Sequence, residues 1–167
     1  MTSHQRLREQ FIAIIDDYNR ACGVASESSI PGEGDVSMEA EWMGVPLLVQ
    51  HRATLHPERL LVRCELGESP SENEEPILRG LLQLQRELTA WTPLKLSLDP
   101  VSQRVCCSHS IPLAEASAAV LLEVFEDMVL RASEWRCTHY LEDDTAPMAF
   151  AHLADLAGGM PALSVLR

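Results

Sequence analysis

Lysine is nearly missing from this chain: Lys95 is the only one, and the bases total 13 against 25 acids, a formal charge of -12. Such an excess of negative charge repels phosphate backbones and anionic membrane surfaces, which excludes nucleic acid as a natural partner. Aromatics are scarce at 5%, so the core must be built from Leu, Val, Ile, Ala and Met. No run approaches the ~18 apolar residues of a membrane span, and Met1-Thr2-Ser3-His4 opens the sequence without the apolar centre of a signal peptide. The five cysteines (Cys22, Cys64, Cys106, Cys107, Cys137) are odd in number and form no CxxC pair. Neither a disulfide framework nor a zinc knuckle is expected, and the pattern fits a reducing cytoplasm. A glycine-rich phosphate loop, an HExxH pair, a GxSxG elbow and a 34-residue helical repeat are all lacking. No metal or other cofactor is called for.

What is present is the material of one globular domain. The 167 residues are 46% apolar, enough for a core without covalent staples. Leu7, Phe11, Ile14, Ile15 and Tyr18 repeat at helical spacing, and Gly23 ends that first helix. Ser26 to Gly34 is loop by composition. The period then falls to two, giving a strand from Val36 to Trp42, a second from Val45 to Arg52 and a third from Leu60 to Leu66. Short links make these an antiparallel meander. After a loop from Gly67 to Glu75, a second helix is expected over about Glu74 to Ala90. Its leucines cover more than one stripe, so part of its surface needs a partner outside the domain.

Two further strands follow, Leu94 to Leu98 and Val105 to Ile111, joined by the turn Asp99-Pro100-Val101-Ser102-Gln103. Pro112 stops the second, and a third helix is expected from about Ala114 to Trp135. The order α-β-β-β-α-β-β-α predicts an α+β fold, a twisted antiparallel sheet with helices packed on it. Residues 1–136 form the domain and 137–167 an extension, in which Glu142-Asp143-Asp144 is a solvated run or helix start and Ala146 to Ala157 a candidate short helix.

The most tempting chemistry is Cys106-Cys107-x-His109, because Cys107 and His109 share one face of a strand. The plainer reading packs both into the sheet. Asp16-Asp17 has no helical neighbour to complete a metal site. His51 and His56 flank a turn and read as surface residues, and Trp42 and Trp135 suit the core better than an exposed site.

Taken together, these pieces resemble the class I (Tir-chaperone-like) type III secretion chaperones. The resemblance rests on the exit Gly23-Val24, the turn Gly44-Val45-Pro46 running into LLVQHR, and LLVRCELG closing on Gly67-Glu68. It rests most on Leu94 to Leu113, LKLSLDPVSQRVCCSHSIPL, and on a last helix ending Glu134-Trp135-Arg136. It covers about residues 6 to 136 and brings no catalytic motif. The resemblance implies a cytoplasmic bacterial homodimer around which the N-terminal segment of a secreted effector wraps in extended form. Expected client-binding residues are Phe11, Ile15, Trp42, Leu48 and Leu61. Expected dimer contacts are Leu78, Leu82, Leu94, Leu96 and Leu98. The alternatives are a regulator that sequesters a small secretion-control protein on the same fold, and an enzyme using Cys107 and His109.

Overall fold

The computed structural model describes residues 3–23, 34–70, 72, 74–139 and 163–165. The elements are α1 (Ser3–Ala21), β1 (Val36–Trp42), β2 (Val45–His51), β3 (Arg59–Glu68), α2 (Glu74–Trp91), β4 (Leu94–Leu98), β5 (Arg104–Pro112), α3 (Ala118–Thr138) and β6 (Ser164–Val165). The α+β architecture is the expected one, with one strand added at its end. All strand pairs are antiparallel, in the order β4-β5-β3-β2-β1-β6. Most of the expected loop from Ser26 to Gly34, and both features expected within the extension, lie outside the described residues.

Strict alternation builds the sheet. On β2, Val45, Leu47, Val49 and His51 are buried, and their neighbours are not. On β3 the same rhythm buries Leu60, Val62, Cys64 and Leu66. A run of period two has one face to hide, so α3 lies over β3 and β2, and α1 packs on α3. Tyr18 of α1 meets Phe125 of α3 edge to face, with ring centroids 5.4 Å apart. The helix α2 stands aside, against β4.

Two details depart from the sequence reading. The third helix begins at Ala118, later than Ala114, because Pro112 O accepts from the backbones of Glu115 and Ala116 in a separate turn. Ser117 then caps the helix, its hydroxyl accepting from Val120 N at 3.3 Å. His51, expected at the surface, is fully buried: its ring stacks on Phe11 at 5.3 Å, and Nε2 donates to Pro57 O at 2.9 Å. A β-bulge at Glu65/Gly67 bends β3, and Gly67 sits at φ 142° beneath the Trp135 ring.

Candidate binding surface

Among the described residues, the helices cover one face of the sheet and leave the other open. Across that open face, register aligns Ser37, Glu39 and Glu41 of β1 with Gln50, Leu48 and Pro46 of β2. It continues through Leu61, Arg63 and Glu65 of β3, Ser110, Ser108 and Cys106 of β5, and Lys95 and Ser97 of β4. Leu48 and Leu61 are diagonal neighbours here, since Leu48 pairs with Arg63 and Leu61 with Gln50. Both are half-buried, the two leucines of a row that is otherwise polar apart from Pro46 and Cys106.

A groove of about 640 Å³ runs over this face, lined among others by Glu39, Glu41, Leu48, Arg63, Glu65 and Asp99. Its charge is negative. Arg63 lies 3.7 Å from Asp99, and Glu65 is held by Arg104 at 2.9 Å. Glu39 and Glu41 have no ion pair among the described residues. Asp99 closes the β4–β5 hairpin, accepting from the backbone N–H of Val101 and of Ser102, both at 2.9 Å. Those bonds hold its carboxyl below the usual carboxylate range.

The five residues expected to grip a client are not brought together. Phe11 and Ile15 are 0% exposed, locked in the core on the buried stripe of α1. Trp42 belongs to the covered face, opposite Val45 at the β1–β2 hairpin, where it packs partly buried against the core. Its indole N–H is buried and has no acceptor among the described residues. Leu48 and Leu61 alone reach the open face, as their place off the main apolar rows suggested.

A second apolar surface lies at the other side. Leu82 of α2 is 73% exposed and Leu98 of β4 39% exposed. Leu78 and Leu82 border a shallow hollow on α2 with Glu74, Glu75 and Arg79. Of the rest of the expected dimer set, Leu96 is half-buried and Leu94 is enclosed within its own chain. Trp91, passed over in the sequence, is 88% exposed at the end of α2, half a turn round the helix from Leu82. Its signal was available, since Leu84, Leu88 and Trp91 repeat at helical spacing. Gln85 accepts from Leu96 N, tying α2 to β4 beside this surface.

The cysteine–histidine pair is not arranged for nucleophilic work. Cys107 lies 3.2 Å from Cys64 in the core, and the Cys64 hydrogen bond, together with burial, pushes its thiol pKa up. Burial pushes His109 down from its ordinary 6.5. A thiol held protonated beside another thiol is a poor nucleophile. Among the described residues no His, Cys, Asp or Glu cluster is placed to hold a metal ion, and no helix is long and apolar enough to cross a membrane.

Comparison with known proteins agrees with this geometry. The profile of the Tir chaperone protein (CesT) family matches residues 45–136, more than half of the chain. A chain of the ExsC–ExsE complex superposes with a TM-score of 0.61 at 16% identity, covering 89% of this chain and 99% of that one. A chain of the HopA1–SchA chaperone–effector complex gives 0.59 at 20% identity, covering 76% and 93%. One from the ExoT–SpcS complex of Pseudomonas aeruginosa gives 0.54 at 16%, covering 75% and 96%. At these identities the likeness is one of fold. No curated protein sequence matches the chain.

Proposed function

We propose, from the premise that this chain belongs to the Tir chaperone protein (CesT) family, that it is a type III secretion chaperone holding an extended N-terminal segment of a secreted effector. The observation that carries this reading is the open sheet face, where Leu48 and Leu61 stand half-buried over an acidic groove. A polar face interrupted by two apolar side chains suits a strand-like client. Backbone and polar groups give the client register, and alternate apolar side chains give it anchorage. The HopA1–SchA chaperone–effector complex shares the fold, which supports the same reading.

The chaperone needs no chemistry of its own. Binding keeps the export segment soluble and unfolded, in the bacterial cytoplasm. Two copies join through the exposed leucines of α2 and β4, Leu82 and Leu98, closing that surface by twofold symmetry.

Affinity capture from the native cytoplasm tests the proposal. The wild-type chain is expected to retain an exported protein through that protein's N-terminal segment. The double variant Leu48→Asp/Leu61→Asp is expected to retain it at least ~10-fold less while staying folded, since two buried leucine anchors are worth several kcal/mol. Retention that survives deletion of the partner's N-terminal segment, or that ignores the double variant, contradicts the reading.

A further inference from the structure

The outer edge of β1 is occupied by the chain itself. Met38 pairs with Val165 and Glu39 with Ser164, and the Ser164 hydroxyl donates to Glu39 O at 3.3 Å. An edge strand offers a row of unpaired N–H and C=O groups, and β6 caps part of that row. Ser164 also lines the groove on the open face, so β6 forms part of its wall.

What anchors β6 lies one residue earlier. Leu163 is 5% exposed and belongs to the core. Its backbone is held by a side chain: Asn19 of α1, 6% exposed, donates from Nδ2 to Leu163 O at 3.0 Å and accepts from Leu163 N at 2.8 Å. One amide thus satisfies both backbone groups of one residue, as a neighbouring strand would. Asn is a poor residue for a helix, and a buried amide is costly unless paired. Among the described residues the Asn19 side chain bonds to Leu163 and to nothing else. Buried Asn19 is therefore explained by a peptide lying beside it, and its two bonds read backbone, not sequence. The apolar requirement comes from the core pocket that takes the Leu163 side chain.

We propose that Asn19 and the edge of β1 form a cradle for an extended peptide with one apolar anchor, that residues 163–165 fill this cradle in cis, and that a client strand takes it over by displacing them. The proposal rests on the chaperone reading for the client, while the cradle itself rests on the geometry. Two paired residues make a short ladder, and short edge pairings open at low cost. A tethered segment nevertheless competes at a high effective concentration, so it masks the cradle from weak or incorrect peptides and yields to a client that also engages Leu48 and Leu61. Free chain then keeps its edge covered, and loaded chain exchanges its own strand for the client's.

The test uses the full chain and, as probe, a fluorescein-labelled peptide of residues 159–167 read by fluorescence anisotropy. Ser164→Pro removes a backbone donor at an exposed position, and Leu163→Asp removes the anchor. Both variants are expected to bind the probe at least ~10-fold more tightly than wild type, whose cradle is filled. Adding Asn19→Ala to Ser164→Pro is expected to abolish that gain, and a probe carrying Leu163→Asp is expected not to bind. If Leu163→Asp unfolds the chain by circular dichroism, Ser164→Pro carries the test alone. Equal probe affinity for wild type and Ser164→Pro, or a gain indifferent to Asn19, overturns the proposal. Because the probe is the chain's own segment, that failure leaves the chaperone reading intact with its client seated elsewhere. A cradle that binds the probe in a chain that captures no exported protein has the opposite meaning.

Discussion

At the scale of single residues, the structure turns on a few side chains whose partners are far away in sequence. Gly67 is one. At φ 142°, Gly67→Ala faces backbone strain, although a Cβ there would meet Trp135 Nε1 only at an ordinary contact distance of 3.4 Å. The variant is expected to lose about 1–3 kcal/mol in chemical denaturation with the fold unchanged. His109 is another. Burial lowers its pKa below 6.5, while Asp127 pulls it up and Arg131 and Arg59 push it down. A depressed folded pKa means that the unfolded chain binds the proton more readily. The stabilisation is therefore complete above pH 6.5 and is lost as pH falls through the lower folded value. Unfolding measured across this range is expected to be flatter in His109→Gln than in wild type, and identical slopes would assign the acid sensitivity to other groups. These residues also show what was readable. His51 stands in the inward row Val45, Leu47, Val49, so period two alone placed it inside. Its polarity suggested the surface, because the turn after it was legible but not that Pro57 O of that turn would reach back to accept from the His51 ring. Asn19 was not readable at all, since its partner is 144 positions away.

At the scale of elements, the strands were the most legible. The period-two runs gave β1 to β5 nearly to their ends, because half-burial leaves its mark on every second residue. Leu48 and Leu61 stood out for breaking that rhythm, and the register puts both on the open face. Phe11 and Ile15 show the limit of a helix pattern. Spacing identifies the apolar stripe of α1 but does not say whether the stripe meets this chain's core or a client, and here it meets the core. The start of α3 was misjudged by a turn that uses the same residues a helix would use. β6 left no pattern, being two residues long. Of the surplus of apolar residues read on α2, Leu82 stands 73% exposed, which leads to an assembly prediction. Sedimentation at micromolar concentration is expected to show a dimer, and Leu82→Glu with Leu98→Glu is expected to shift it to monomer. A wild-type monomer would remove the proposed joining surface.

At the scale of the whole molecule, the charge of -12 and the family fold point in one direction. A strongly acidic body stays soluble while carrying an apolar client, and its field speeds the approach of a basic one without supplying the final grip. Ordering an unfolded segment costs about 1–2 kcal/mol per residue, against roughly 25 cal/mol gained per Å² of apolar surface buried. Holding tens of residues therefore requires a long wrapped interface, larger than the ~1,600 Å² of ordinary complexes. In the proposed dimer, the groove over Leu48 and the edge beside Asn19, each present twice, form the proposed path. The most direct test is titration calorimetry of the captured client's N-terminal segment into the chain, at several temperatures and at low and high salt. A large negative heat-capacity change that persists in high salt is the predicted result, and a change near zero, or binding that vanishes as salt rises, would contradict the extended, apolar grip at the centre of this account.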